Sequence, residues 1–170
     1  MINISAKPNP KYNILFKSRN NFKTNLYKKF LFFKKGRDAM IYGLEKLKVD
    51  KKKSIFIPAY ICSSFINTII DNGYKVEYYD INKDFSVDLE NLKRIINNNK
   101  ISVLVIVHYF GLLIDIKEIY ILCKLRNIEI IEDYCHGFLI RIFKEKEIYL
   151  KTTKIYSIMK NVPVLDGGAL

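Results

Sequence analysis

Two hydrophobic periods alternate along the chain from Gly36 onward. Met40, Ile41, Leu44 and Leu47 recur at the spacing of one helix face, which predicts a helix over 37–48. Residues 54–57 form a short apolar run closed by Pro58 and read as a strand. A helix is expected over 60–71, stopped by Asn72-Gly73, and a second strand over 75–79. Asp88 can cap the free amides of a helix running through Ile96. Ile101–Val107 is a continuous run rich in β-branched residues, suited to a parallel strand buried on both faces. Residues 115–126 are amphipathic, with Ile116, Ile119, Leu122 and Cys123 on one side, and 128–131 read as another buried strand. Beyond His136 the regularity falls: 138–143 and 147–150 read as a hairpin and 155–157 as one more strand. Alternating strands and helices imply right-handed crossovers and an α/β fold, a mostly parallel sheet flanked by helices.

Composition adds a division of the chain. With 49% hydrophobic residues among 170, it can bury a sizeable core and is not a disordered polymer. The formal charge of +12 is unevenly spread: residues 1–37 hold ten Lys or Arg and no acid, while the remainder is close to balanced. We therefore divide the chain into a basic N-terminal arm, 1–35, and a folded unit, 36–170. A basic arm can touch nucleic acid or an anionic membrane. No RNA-recognition signature, helix-turn-helix pattern or set of paired metal ligands accompanies it, so a solvated arm is the favoured reading. Cys62, Cys123 and Cys135 are odd in number and lack paired spacing, which fits reduced thiols in the cytoplasm. No apolar stretch is long enough to span a bilayer.

Candidate chemistry gathers where the strands end. In an open parallel sheet, ligands sit at the carboxyl ends of the strands. His108-Tyr109 follow the run ending at Val107, Asp133 and His136 follow 128–131, and Ser157 and Lys160 follow 155–157. Gly36, at a helix start, adds an anion site of free backbone amides. A phosphate site, a carboxylate, a histidine and a lysine at one sheet edge are what a pyridoxal 5'-phosphate enzyme requires. The lysine amine condenses with the cofactor's aldehyde and later moves a proton as a base. A carboxylate against the pyridine nitrogen keeps it protonated, so the ring can accept electrons. The phosphate needs amides and hydroxyls, which a helix N-terminus supplies. No Gly-x-Gly-x-x-Gly follows any strand, which sets aside a nicotinamide-binding fold.

The segments carrying these residues resemble, in order, those of the DegT/StrS-type aminotransferases, which aminate nucleotide-linked keto-sugars in making surface polysaccharides and antibiotics. Gly36-Arg37-Asp38-Ala39-Met40 resembles the family's Gly-Arg-x-Ala-Leu helix start, and Ile57-Pro58-Ala59-Tyr60-Ile61-Cys62 its Val-Pro-Ala-Tyr-x-Cys segment. Val107-His108-Tyr109-Phe110-Gly111 is similar to its His-x-Phe-Gly turn, and Ile131-Glu132-Asp133-Tyr134-Cys135-His136 to Ile-Glu-Asp-x-Ala-His/Gln. Tyr156-Ser157-Ile158-Met159-Lys160 and the closing stretch from Pro163 to Leu170 resemble its Ser-x-x-Lys and Pro-Asp-Gly-Gly-Ala-Leu motifs, the most specific of the set. The resemblance runs from about residue 35 to the end.

By that resemblance, 36–170 is the N-terminal part of a type I pyridoxal-phosphate-dependent transferase large domain. Lys160 is the cofactor-linking lysine, Asp133 faces the pyridine nitrogen, and His136 sits near the ring's phenolic oxygen. Arg37 and Asp38 lend backbone amides to the phosphate, and Ser157 a hydroxyl. Lys154 is a rival for the lysine role. Where many members stack an aromatic residue on the cofactor, this chain has Cys62. The implied partners are an amino-acid donor, a keto-sugar nucleotide and a second copy of the chain in a homodimer, with no metal. Family chains are about twice as long, with a second domain after the lysine. An incomplete enzyme is therefore expected, binding cofactor poorly by itself and turning over nothing. The alternative is a non-catalytic remnant or split-enzyme subunit acting through protein–protein contact.

Overall fold

The structure, a computed structural model, describes residues 30–98, 100–138 and 150–170. In chain order the elements are β1 (Phe32–Phe33), α1 (Gly36–Lys46), β2 (Ser54–Pro58), α2 (Ser63–Asp71), β3 (Lys75–Tyr79), α3 (Leu89–Asn98), β4 (Ile101–Val107), α4 (Lys117–Leu125), β5 (Glu129–Asp133), β6 (Thr153–Ser157) and β7 (Gly168–Ala169). Short 3-10 turns occupy Tyr109–Gly111 and Ile158–Lys160. The strands form one sheet in the order β1-β7-β6-β5-β4-β2-β3. Strands β2 to β6 pair in parallel, while β7 runs antiparallel to both β6 and β1.

The run expected to be buried on both faces is β4, and its side chains alternate between two cores as a period of two requires. Val103, Val105 and Val107 join Ile55, Ile57, Ile131 and Ile155 in the core shared with Met40 and Leu44 of α1 and Ile69 of α2. Leu104 and Ile106 join Phe56 and Ile130 in the core shared with Leu92 and Ile96 of α3 and Ile119 and Cys123 of α4. The result is three layers, helix–sheet–helix. The chain runs from β2 outward to β3 and then returns to β4 on the other side of β2. This reversal opens a crevice at the carboxyl ends of β2 and β4.

Several boundaries differ from the sequence reading for local reasons. Helix α2 starts at Ser63 rather than at residue 60, because Ala59 N–H donates to Tyr79 O (2.8 Å) and Ile61 N–H to Ala59 O (3.2 Å), which keeps 59–61 in a turn. Asp88 caps α3 as expected, its Oδ1 accepting from Asn91 N–H at 3.0 Å. Strand β5 runs two residues further than expected, since Glu132 and Asp133 stay in register with Ile106 and Val107. The hairpin expected over 138–143 and 147–150 lies, apart from its two end residues Phe138 and Leu150, outside the described residues. Strands β1 and β7, two residues each, were not foreseen, and they bring residues ahead of the expected boundary at 35 into the sheet. Most of the basic arm, residues 1–29, lies outside the described residues.

The short β7 explains the Gly-Gly near the end of the sequence. A Cβ on Gly168 would lie 2.3 Å from both the carbonyl carbon and the oxygen of Lys35 and 2.5 Å from Gly36 N. Only a residue without a side chain lets β7 pass the start of α1 this closely. Gly168→Ala is expected to destabilise the fold by about 1–3 kcal/mol, as overpacking does. A drop of several degrees in the thermal midpoint, followed by circular dichroism, is the expected result. An unchanged midpoint would contradict the close approach.

Candidate active site

Strand parity sorts the candidate residues before any distance is measured. On β5, Ile131 faces the α1/α2 core, so Asp133 shares that side and Glu132 takes the opposite one. On β6 the same rule puts Ser157 with Ile155 and turns Lys154 the other way. His108 continues the Leu104–Ile106 row and so falls on the Glu132 side.

The contacts follow that division. Glu132 is only 3% exposed, yet every charge around it is matched. His108 Nδ1 accepts from Ile114 N–H (3.1 Å), leaving the ring proton on Nε2, which donates to Glu132 Oε2 (3.0 Å). Tyr134 O–H donates to the same oxygen at 2.9 Å. Oε1 accepts from the Thr152 hydroxyl and lies 3.2 Å from Lys154 Nζ. Burial by itself would raise the Glu132 carboxyl, but the His108 hydrogen bond, the Lys154 charge and Thr152 outweigh it and hold the group at about 2. Lys154, the rival lysine, is thereby committed to this network.

On the other side a cleft of about 310 Å³ opens at the switch point, lined by Tyr60, Cys62, Tyr109, Asp133, His136 and Lys160 among others. Asp133 is buried at the end of β5, and its Oδ1 accepts from Cys135 N–H at 2.7 Å. Its negative charge and, first of all, burial raise the neighbouring Cys135 thiol well above its ordinary value. Lys160 ends the 3-10 turn after β6, with Nζ 3.5 Å from His136 Nε2. Asn161 ties the lysine turn to the β5 end, its side-chain N–H groups donating to Cys135 O (2.8 Å) and Ser157 O (3.1 Å). The His136 ring lies parallel to Phe110, centroids 5.8 Å apart and planes 4° apart. Burial lowers the His136 pKa, the Lys160 charge lowers it further, and Asp133 offsets part of this. Tyr109 O–H donates to Tyr60 O at 2.6 Å, and burial with the nearby Asp133 raises that phenol.

The remaining predicted residues stand beside the cleft. A Cβ on Gly36 would lie 3.5 Å from Ser157 Cβ and 3.3 Å from Cys135 Sγ, so the start of α1 abuts the ends of β5 and β6. The amides of Gly36 and Arg37 open the helix ahead of its first internal bonds. The Asp38 amide instead donates to Lys35 O at 3.1 Å, and the Asp38 carboxylate accepts from Lys35 N–H at 3.0 Å. Sequence reasoning did not single out Phe110, Asn161 or Glu132. The Glu-Asp pair at a strand end carried the signal for Glu132, since two adjacent acids on a strand cannot share a face.

These residues fit pyridoxal phosphate on the chemistry of the set: a primary amine and a carboxylate lining one cleft, beside a helix start and a buried serine. Among the described residues, no group of three His, Cys, Asp or Glu could hold a metal, and no helix is long and apolar enough to cross a membrane.

Comparison with known proteins agrees with this geometry. The sequence profile of the DegT/DnrJ/EryC1/StrS aminotransferase family matches residues 27–170, and the chain belongs to that family. No curated protein sequence matches it. A DegT DnrJ EryC1 StrS aminotransferase from Brucella abortus is similar in structure, with a TM-score of 0.70 at 18% identity over 82% of this chain and 40% of that one. For 3-amino-5-hydroxybenzoic acid synthase the TM-score is 0.69 at 18% identity, over 82% and 37%. For NtdA from Bacillus subtilis, solved with bound cofactor PMP, it is 0.68 at 22% identity, over 82% and 32%. The chain thus spans well under half the length of these structures.

The Glu132 network sets a pH dependence. A carboxyl held below its ordinary 4.5 stabilises the fold above that value and loses the contribution as pH falls toward 2. The expected loss is on the order of 3 kcal/mol, read from denaturant midpoints across this range. Glu132→Gln should start less stable and show a flatter acid limb; an identical limb would contradict the assignment.

Proposed function

We propose that this chain carries the cofactor-binding part of a pyridoxal-phosphate-dependent aminotransferase acting on a nucleotide-linked keto-sugar in polysaccharide biosynthesis. The observation that carries the reading is the meeting of Lys160, His136 and Asp133 in one cleft at the switch point of the sheet. When bound, the cofactor supplies an aldehyde and an electron-accepting ring. Asp133, a carboxylate side chain buried at the end of β5, suits a protonated ring nitrogen. Lys160 is the amine within reach of that carboxylate's cleft, and it holds or releases the proton at Nζ. Ser157 and the Gly36 and Arg37 amides suit the phosphate. The sugar nucleotide and an amino-acid donor such as glutamate follow from the family resemblance.

A cytoplasmic setting is supported by three free cysteines. Tyr60 and Phe110, each about 60% exposed, give the cleft an apolar rim that suits a second copy of the chain in a homodimer. The same rim favours a second reading, a subunit that acts only through protein contact. Borohydride reduction at saturating pyridoxal phosphate, which traps even a weakly held cofactor, followed by peptide mass mapping, separates the two. Stable labelling at Lys160, and none at Lys154, is expected of the enzyme reading. Asp133→Asn should weaken the cofactor affinity behind that labelling about tenfold or more, the size of a lost charge-assisted hydrogen bond. Absence of label at Lys160, or label spread evenly over surface lysines, would leave only the contact role.

A further inference from the structure

We infer that Phe110 is a positioning residue for His136: its backbone amide, held in a left-handed turn, keeps the imidazole proton on Nε2 and makes that edge a hydrogen-bond donor on the Lys160 side of the cleft. Phe110 has φ 53° and ψ 17°, a conformation that a non-glycine residue adopts rarely and at a cost. The turn is bolted in place on both sides. His108 N–H donates to Asp133 O (3.0 Å), Gly111 N–H to His108 O (3.4 Å) and Leu112 N–H to Tyr109 O (2.8 Å). The Phe110 ring also stands edge-on to Phe85, 5.2 Å between centroids.

In that conformation the Phe110 amide points at the histidine, donating to Nδ1 at 3.4 Å. A ring nitrogen that accepts an N–H carries no proton of its own, so the single proton of the neutral imidazole sits on Nε2. Nε2 is the edge 3.5 Å from Lys160 Nζ, a contact in which a protonated Nε2 donates only to an amine whose lone pair is free. The charged groups acting on the ring are Lys160 and Asp133, and burial with the lysine charge favours the neutral form. The parallel stack of the two rings closes the arrangement, because one residue supplies both the amide and the face that orients the plane. The chemical consequence rests on the function proposed above: a fixed donor matches an acceptor such as the cofactor's phenolic oxygen and rejects another donor.

The chain has only two histidines, so ring nitrogens can be read one by one in long-range proton–nitrogen NMR spectra. His108, whose Nδ1 also accepts a backbone N–H, serves as the internal reference for the intact fold. In the wild type near neutral pH, His136 should show an unprotonated Nδ1 and a protonated Nε2; the reverse pattern, or averaging of the two, overturns the inference. Phe110→Gly and Phe110→Val both remove the ring, but only glycine accepts the left-handed conformation freely. F110G is expected to keep the Nε2-protonated pattern and F110V to lose it. If both variants lose it, the stack and not the amide sets the tautomer; if both keep it, Phe110 does not. Either result overturns the proposal. Should F110V also lose the His108 pattern, wild type and F110G decide. Added pyridoxal phosphate should shift the Nε2–H resonance. An unshifted signal on a correctly protonated ring counts against the cofactor reading and leaves the positioning role standing.

Discussion

A carboxylate deep in a protein is tolerated only if its oxygens are fully engaged, and the Glu132 side chain meets that demand with partners from four places. They come from the end of β4, from the residue after β5, from the approach to β6 and from β6 itself. The ends of three adjacent strands are therefore fixed relative to one another on one face of the sheet. Because successive strand residues point in opposite directions, fixing Glu132 also fixes where Asp133 emerges on the other face. The proposed chemistry depends on that emergence. A slip of one residue in β5 would exchange the two acids, placing the buried network in the cleft and the cleft carboxylate in the core.

The reversal of strand order then supplies the space. Strands β2 and β4 diverge in their connections, and the loops following β2, β4, β5 and β6 each bring at least one polar or aromatic side chain to the opening. Among the described residues a larger cavity, about 660 Å³, lies elsewhere, over Phe85, Leu113, Ile114 and Ile119, and is lined by neither Asp133 nor Lys160. The proposed site rests on the chemistry that lines the smaller cleft, not on size.

Much of this was legible from the residues in order. The period-two and helical patterns placed β2 to β5 and the four α-helices among the described residues, because each buries enough apolar surface to leave a strong pattern. The misses have physical causes. Strands β1 and β7 hold two residues each, too few for a period, and exist because Gly168 permits a backbone approach that no pattern announces. The early start assigned to α2 failed because Ala59 prefers a partner on β3 to a helical bond. At the candidate site, Asp133, His136 and Lys160 are singled out in the sequence by their position after strands, and the structure brings them into one cleft. Phe110 was not, since the signal there is a backbone conformation that phenylalanine itself does not encode. The sequence favours Lys160 over its rival Lys154 because Lys154 precedes the strand-end Ser157 and lacks the following Gly-Gly match; the register of β6 against β5 adds a separate reason, strand parity, which no sequence pattern supplies.

The most direct test of the central claim is a crystal structure of the chain grown with pyridoxal phosphate. The account predicts the pyridine ring in the cleft, its nitrogen against the Asp133 carboxylate, its aldehyde carbon joined to Lys160 Nζ and its phosphate at the start of α1. A cofactor attached to another lysine, or a cleft in which the Asp133 and Lys160 side chains face away from each other, would contradict it.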